Sequence, residues 1–219
     1  MPFPLLTIAN DVGAHAKTTN DDSITSFVYV YVKNLGFTGW TGQTLQGGAH
    51  LLLIGHPSTR TGRQSLEWGC PGGHQDVEDS FTASMINSTQ SNGSTSVEPG
   101  IVAACREFAE EFMGAVPSYP LIWGLIHMFT ARPHEFVSNS NGTKHSLHVV
   151  FDSALQFEML IGLPRRTLAQ KQACRLSNET KGYQYVKIQG DRLVMNGLAE
   201  RKGTFDGFNS GYIEIKNHL

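Results

Sequence analysis

The chain has 219 residues, of which 40% are hydrophobic and 16% are charged, and its formal net charge is −2. This length suits one domain with a sizeable core, and the small net charge gives no support to a general binder of nucleic acids or membrane surfaces. No apolar run approaches the roughly 20 residues that span a bilayer, and the first residues lack the basic start of a signal peptide, so we expect a soluble cytoplasmic protein without a membrane partner.

The first third of the chain is typical of strands joined by polar connections. Residues 25–33 alternate between β-branched or aromatic residues and others, which predicts a strand. Further strands are predicted at 50–55 and 65–69, and the latter leads into Pro71-Gly72-Gly73. The connections are a glycine-rich segment at 35–48 and a polar, basic loop at 56–64.

A low-complexity tract precedes the best helix candidate. Residues 79–97 carry few core residues and little charge, so we expect a mobile insertion there. Residues 101–113 then place apolar side chains at helical spacing, after Glu98-Pro99 and before Gly114, which are typical of a helix start and end.

The second half of the chain predicts a further mixture of strands and helices. The long apolar run at 120–130 is interpreted as a buried strand, and a polar tract at 138–144 separates it from the next one. The remaining predictions are strands at 146–153 and 183–189 and helices at 166–176 and 191–201. This order predicts an α/β protein with a mixed sheet and helices on both faces.

Three glutamates on the predicted helix are candidate metal ligands. Glu107, Glu110 and Glu111 lie at i, i+3 and i+4, so a regular helix would place them on one face. Their mutual repulsion is relieved by a divalent cation, and carboxylate oxygens suit Mg²⁺ or Mn²⁺. Taken alone, the same pattern also fits a solvated acidic helix face. Cys70, Cys105 and Cys174 have no metal-ligand spacing.

The surroundings of these glutamates resemble the signature of the Nudix hydrolase family, G-x5-E-x7-R-E-U-x-E-E-x-G-U, in which U is a bulky aliphatic residue. Glu98 stands eight positions before Arg106, and Arg106 opens the run Arg-Glu-Phe-Ala-Glu-Glu at 106–111. Gly72-Gly73 supplies the glycine that follows a strand. The resemblance implies a Nudix-type α/β/α sandwich with a mixed sheet over a single domain, residues 1–219.

The sequence departs from this signature in two places. The family has six positions from the glycine to the first glutamate, whereas Gly73 and Glu98 are 98 − 73 = 25 positions apart, which implies 25 − 6 = 19 inserted residues. We assign these to a low-complexity insertion at about 77–97, because loop-closure entropy grows slowly with loop length. The glycine after the glutamate pair also comes one place late, since Met113 occupies its position and Gly114 follows.

The resemblance implies a role for each matched residue. Glu107, Glu110, Glu111 and the backbone carbonyl of Gly72 would hold Mg²⁺ or Mn²⁺. A supporting ion pair would join Glu98 to Arg106 beside Gly73. An ordinary surface salt bridge, with a contribution of about 0–1 kcal/mol, is the alternative for that pair.

The general base and the substrate contacts are less well defined by sequence. Glu110 or Glu111 is a candidate base, and Glu179 is another because it precedes a predicted strand where many relatives keep a glutamate. Arg60 and Arg63, in the basic loop, and His74, after the glycines, are candidate substrate-binding residues. Each of these side chains also fits a plain solvated role.

Three functions are compatible with these residues. The first is a metal-dependent pyrophosphohydrolase that acts on a nucleoside diphosphate derivative by attack of a metal-activated water. Its substrate would be a small molecule; the charge disfavours long nucleic acids, although a capped RNA end stays among the candidates, and a homodimer is compatible with the sequence. The second is a catalytically inactive Nudix-like module that binds a nucleotide or a protein. The third is an unrelated α/β protein with an accidental acidic helix.

Overall fold

A computed structural model describes residues 24–34, 47–58, 65–90, 96–161 and 180–219. The strands in these ranges are β1 (Thr25–Asn34), β2 (His50–Ser58), β3 (Ser65–Gly69), β4 (Gly72–His74), β5 (His134–Ser138), β6 (Lys144–Ser153), β7 (Tyr183–Gln189), β8 (Arg192–Leu193) and β9 (Ala199–Glu200). The helices are α1 (Val77–Thr89), α2 (Pro99–Glu107), α3 (Tyr119–Thr130), α4 (Ala154–Leu160) and α5 (Thr204–Ile215). A π-helical turn, Phe108–Phe112, continues α2, and a 3₁₀ turn, Lys216–His218, follows α5. None of the described helices has both the length and the apolar character needed to cross a membrane.

The strands form one mixed sheet around β1. Over the described residues the main order is β5-β6-β1-β2-β3-β9; β4 also pairs with β1, and β7 pairs with β2 and β8. β1 runs parallel to β6, with Val28 opposite Leu147, and antiparallel to β2 and β4. The short β4 therefore brings Gly72 and Gly73 against the start of β1, opposite Phe27 and Ser26.

The two faces of the sheet are buried under different helices. Alternation along β1 sends Val28, Val30 and Val32 to the face covered by α1 to α4, where they share a core with Phe108 and Phe129. The intervening residues of β1 join the opposite core, which α5 covers. The protein is thus a three-layer α/β/α sandwich with a mixed sheet, which confirms the fold class expected from the sequence.

Two glycines allow α5 to lie close to the sheet. A Cβ on Gly207 would collide with the hydroxyl of Tyr29, and one on Gly211 would collide with the ring of His148. These two rings stack with centroids 4.5 Å apart, and the Tyr31 hydroxyl bonds His148 Nδ1 at 2.9 Å. The small residues of α5 therefore fit over an aromatic, hydrogen-bonded surface that larger side chains would displace.

The apolar run at 120–130 is a helix and not the predicted strand. α3 begins after Ser118 with Pro120 in its first turn, a position that needs no N–H donor. Its buried residues recur at helical spacing: Ile122, Leu125, Ile126 and Phe129. Apolar side chains on its other faces hid this period, because a nearly continuous apolar run fits a buried strand equally well. The edge strand that pairs with β6 on the side away from β1 is β5, which the sequence did not predict.

Two further predictions differ from the structure. The predicted helix at 191–201 is wrong, because this segment forms β8, turns and β9, with left-handed backbone at Gly190, Asn196 and Gly197. The helix near the end of the chain is instead α5, which begins at Thr204. The predicted helix at 166–176 lies outside the described residues.

Much of the expected insertion is helical. α1 occupies residues 77–89 of the tract that was assigned to a mobile low-complexity loop. It begins with a capping box, in which Asp79 Oδ2 accepts a hydrogen bond from the Asp76 backbone N–H at 2.8 Å. Ala83 and Ile86 bury its inner face, while Val77 and Phe81 are exposed. A capping box and two buried apolar side chains thus anchor a helix in a tract whose composition predicts a loop.

Candidate functional site

The glycine pair after β3 permits two close backbone approaches. A side chain on Gly72 would collide with the ring of Phe27, and a Cβ on Gly73 would lie 2.5 Å from Glu107 Oε1. Hydrogen bonds from Val28 N to the Pro71 carbonyl and from Gln75 N to the Ile24 carbonyl, both 2.9 Å, fix the register of β4 on β1. In an antiparallel pair the direction of the peptide groups alternates, so the N–H and the carbonyl of Gly72 point away from β1.

Glu111 is bound to this backbone. Its carboxylate is buried, and Oε2 accepts a hydrogen bond from the Gly72 N–H at 2.7 Å. Its own backbone carbonyl accepts a hydrogen bond from the Thr180 hydroxyl at 2.9 Å. The negative group is therefore fixed against the turn that ends β3, and it does not extend into solvent.

Glu110 and Glu111 lie in the π-helical turn, and Glu107 is the last residue of the α-helix before it. Met113 N bonds the Phe108 carbonyl, five residues back, at 3.2 Å. Such turns are rare in proteins overall, but those that occur are often found at functional sites. The wider turn accommodates one additional residue, and the chain then leaves the helix through Gly114 with φ of +59°. This accounts for a glycine that stands one position later than the signature requires.

Glu107 and Glu110 converge on a single nitrogen atom. Arg106 Nη1 lies 2.9 Å from Glu107 Oε1 and 3.1 Å from Glu110 Oε2. Burial raises the pKa of Glu107 to about 7, with Arg106 opposing and the charge of Glu110 adding to the rise. Burial also raises the pKa of Glu110, against the opposing effect of Arg106. These carboxylates are thus crowded, partly desolvated and oriented toward a positive charge.

Arg106 joins the glutamates to the start of α1. Its Nε lies 3.0 Å from Asp79 Oδ1, and its Nη2 donates to the His74 carbonyl at 2.7 Å and lies 3.6 Å from Asp76 Oδ2. Asp79 is only 2% exposed, so this is a largely buried ion pair. Burial raises the pKa of Asp79 while Arg106 opposes that rise.

The supporting pair differs from the predicted one, because Arg106 bonds Asp79 and not Glu98. Glu98 is the exposed N-terminal cap of α2, and eight residues of helix separate it from Arg106 by about 12 Å at roughly 1.5 Å per residue. Asp79 has the family spacing from the glycine, since 79 − 73 = 6. Sequence reasoning passed over it because an aspartate stands where the signature has glutamate.

This pairing moves the insertion without changing its length. The signature puts eight positions between its first glutamate and its arginine, whereas Asp79 and Arg106 are 106 − 79 = 27 apart, and 27 − 8 = 19. Aligned with the signature in this way, the 19 additional residues would fall between Asp79 and Arg106, a range that includes most of α1. The ion pair between Asp79 and Arg106 joins the two ends of this segment, residues 79–106.

A histidine and an arginine flank Glu111 on its other side, and sequence reasoning missed both. His56 Nδ1 and Arg201 Nη1 each lie 3.7 Å from Glu111 Oε1. Arg201 Nη1 also lies 2.9 Å from Nδ1 and 2.6 Å from Nε2 of His56. Burial, assisted by the charge of Arg201, lowers the pKa of His56 to about 3, so His56 is neutral near pH 7. No motif in the sequence marks either residue.

Of the remaining predicted residues, the structure describes only His74. Glu179, Arg60 and Arg63 lie outside the described residues, so their roles stay predictions. His74 has an exposed side chain, and its backbone carbonyl, not its ring, bonds Arg106.

The oxygen atoms around the glycine pair are of the chemical type that binds a hard divalent cation, but they are not arranged as a metal site. Among the residues that the structure describes, no three His, Cys, Asp or Glu side chains are arranged to hold a metal ion. Arg106 Nη1 lies between Glu107 and Glu110, while Glu111 is turned to Gly72. The available donors, three carboxylates and the Gly72 carbonyl, are all oxygens, which is the chemistry that Mg²⁺ and Mn²⁺ prefer.

Comparisons with known proteins give limited similarity. No protein-family model matches the chain, and no curated protein matches it. Among solved structures, a NUDIX hydrolase from Nitrosomonas europaea is similar over 87% of this chain and 90% of its own, with 14% sequence identity and a TM-score of 0.30. A likeness at this level does not by itself assign the chain to a family.

Proposed function

We propose that the protein is a divalent-metal-dependent hydrolase that cleaves the diphosphate linkage of a nucleoside diphosphate derivative. The observation that carries this proposal is the convergence of the acidic helix on the glycine pair. Glu111 accepts the Gly72 N–H at 2.7 Å, and Glu107 lies against Gly73. Buried carboxylates need a compensating partner, and a divalent cation beside the glycine pair would be one.

Glu107, Glu110, Glu111 and the Gly72 carbonyl are the groups that would hold Mg²⁺ or Mn²⁺. When bound, the cation neutralises diphosphate oxygens and lowers the pKa of a bound water. Glu107 and Glu110 already direct oxygens at one cationic nitrogen. Arg106 is held independently at its other nitrogens by Asp79 and the His74 carbonyl, so its backbone tether to the glycine loop does not depend on the glutamates.

Glu110 is the best-placed general base among the described residues. Its side chain is 40% exposed, against 14% for Glu107 and 6% for Glu111, so an incoming water reaches it most easily. A raised pKa also makes a carboxylate a better proton acceptor near neutral pH. Glu111 and Glu179 remain the alternative bases.

The inactive nucleotide- or protein-binding module remains the second candidate, and one observation favours it. Arg106 Nη1 already bonds both Glu107 and Glu110, so the acidic cluster is also consistent with a purely structural ion-pair network. In that case, the site would bind a nucleotide without cleaving it and would not need a metal.

A substrate panel distinguishes these functions. The purified protein is incubated with nucleotide sugars, dinucleoside polyphosphates, nucleoside triphosphates and capped RNA, each with Mg²⁺, with Mn²⁺ and with EDTA, and products are identified by mass spectrometry. We expect cleavage of one class at its diphosphate linkage in the metal-containing samples and none in EDTA. Binding of a nucleotide without turnover in any sample would support the inactive module, and turnover in EDTA would contradict the metal dependence.

A further inference from the structure

Arg201 is held above the sheet in a position that glycine makes available. Its backbone N–H bonds the Trp68 carbonyl at 2.9 Å, and the Arg201 carbonyl accepts the N–H of Thr204 at 3.2 Å. A Cβ on Gly69 would lie 3.0 Å from Arg201 Cβ and 3.1 Å from its Cδ. The aliphatic stem of the arginine therefore crosses β3 at the one residue of this strand that leaves room for it.

This path brings the guanidinium to the side of the acidic cluster. Gly69 pairs with Ile54, and His56 lies two residues further along β2, so their side-chain positions share one face of the sheet. This is the face of the sheet that α1 to α4 cover, because Ile54 belongs to the same core as Val28 and Phe108. The stem of Arg201 thus runs across this face to reach Glu111 Oε1 at 3.7 Å.

The positive charge of Arg201 is incompletely matched where it ends. Its closest partner is His56, an imidazole, which contributes no negative charge. The carboxylate of Glu111 lies at 3.7 Å, beyond hydrogen-bond distance, and it is already bonded to the Gly72 N–H. Within the described part of the chain, every contact of the guanidinium involves Nη1, while the side chain is 36% exposed. Nε and Nη2 are therefore available to an anion that enters beside Glu111.

We propose that Arg201 binds a phosphate group of the substrate on the Glu111 side of the carboxylate cluster, with His56 and Gly69 fixing the position of its guanidinium. The ligand class is a diphosphate, and a planar guanidinium is suited to two parallel hydrogen bonds to one phosphate. This inference rests on the proposed function for the identity of the ligand. It assigns substrate binding to a residue that lies outside both the glycine pair and the run at 106–111.

The test measures binding of methylenediphosphonate, a non-hydrolysable diphosphate, by titration calorimetry in Mg²⁺ and separately in EDTA. The variants are Arg201→Ala and Arg201→Lys, and Arg192→Ala is the matched control because Arg192 is an exposed arginine on β8. We expect Arg201→Ala to weaken binding at least about tenfold, Arg201→Lys to weaken it less, and the control to stay within about twofold. With a cleaved substrate, the same loss is expected mainly in KM.

A second measurement separates this role from a purely structural one. Mn²⁺ affinity is measured by paramagnetic relaxation, and folding is checked by thermal unfolding. If Arg201 only neutralises Glu111, its removal will tighten Mn²⁺ binding and leave the affinity for the diphosphonate unchanged, which would overturn the proposal. The lysine variant retains an aliphatic stem and a charge, so it provides a folded comparison if the alanine variant unfolds.

The two proposals fail in different ways. A wild-type protein that binds Mn²⁺ and cleaves a diphosphate, with no effect of Arg201→Ala on diphosphonate affinity, contradicts the role of Arg201 alone. A wild-type protein that neither binds Mn²⁺ nor cleaves any diphosphate, but loses diphosphonate affinity in EDTA on Arg201→Ala, contradicts the hydrolase and retains the anion site. If the wild-type protein binds no diphosphonate in either solution, the Arg201 site is refuted.

Discussion

The carboxylate of Asp79 contacts the guanidinium of Arg106 at 3.0 Å, although 27 positions of sequence separate the two residues. This pair joins the two ends of the segment 79–106, which contains most of α1. It also fixes α2, which carries Arg106, to the loop that follows the glycine pair. Because Asp79 is almost fully buried, the interaction differs from an exposed salt bridge, whose contribution is typically small.

The Asn substitution of Asp79 tests which acidic residue supports the site. Asp79→Asn should lower the free energy of unfolding by about 2–3 kcal/mol, because it leaves a largely buried guanidinium without the most deeply buried of its carboxylate partners. Glu98→Gln, at the exposed helix cap, should change it by less than about 0.5 kcal/mol. Urea denaturation of both variants measures the difference. Equal losses would mean that Glu98 contributes as much as Asp79.

Removal of the most exposed glutamate should affect turnover more than folding. Glu110→Gln should reduce kcat at least about 100-fold while the melting temperature stays within a few degrees, because the group would both hold the metal and accept a proton. Glu135→Gln, an exposed glutamate on β5, is the control. Steady-state kinetics on the substrate found in the panel, together with thermal unfolding, gives both values. Near-normal rates for Glu110→Gln would refute its assigned roles.

The pH dependence of stability should report on Glu107. The pKa of Glu107 is about 7 in the folded protein, whereas the ordinary value of 4.5 applies to the unfolded chain. Between these two pH values the folded state keeps a proton that the unfolded state releases. A raised carboxyl pKa stabilises the fold most below about pH 4.5, and this contribution is lost as the pH rises to 7, by an amount on the order of 3 kcal/mol.

Glu107→Gln should remove this component of the pH dependence. The free energy of unfolding, measured by urea denaturation in EDTA from pH 4.5 to 7.5, should fall less steeply in the variant than in the wild type. Glu135→Gln should leave the wild-type slope unchanged. Parallel curves for wild type and Glu107→Gln would show that the carboxyl of Glu107 titrates normally.

Two helical glycines should respond to alanine in opposite directions. Gly211→Ala introduces a methyl group that collides with the His148 ring, so we expect a loss of about 1–3 kcal/mol. Gly124 lies in α3 with nothing within 4 Å of an added Cβ, so Gly124→Ala should stabilise the protein by up to about 1 kcal/mol. Thermal and urea denaturation measure both changes. A neutral Gly211→Ala would mean that α5 can move away from the sheet at little cost.

The residues that the sequence identified best are those with a local signal. Strands at 65–69 and 183–189 were predicted with the observed bounds, because alternation and flanking turn residues determine them within a few positions. α3 was misassigned because its apolar residues surround the helix and leave no clear period. α1 was missed because composition carries no information on a capping box or on two buried contacts.

The site divides in the same way. The spacing of the glutamates predicted a cluster beside the glycines, and Glu107 and Glu111 lie against Gly73 and Gly72. The metal roles of Glu107, Glu110 and Glu111 stay predictions. Asp79 was not identified because an aspartate stands where the signature has glutamate, although its spacing from Gly73 fits. Arg201 carries no local signal, because it reaches Glu111 only through a tertiary contact between distant segments. The π-helical turn was also invisible, although a glycine displaced by one position was its trace in the sequence.

The fit of α5 over Tyr29 and His148 has a consequence for biosynthesis. The strands of this face precede α5 along the chain, so during synthesis they leave the ribosome before the helix that covers them. During that interval the side of the sheet that includes Tyr31, Leu51 and Leu53 is open to chaperones or to other nascent chains. Release of the segment up to Ile215 from the exit tunnel is therefore the step that ends this exposure.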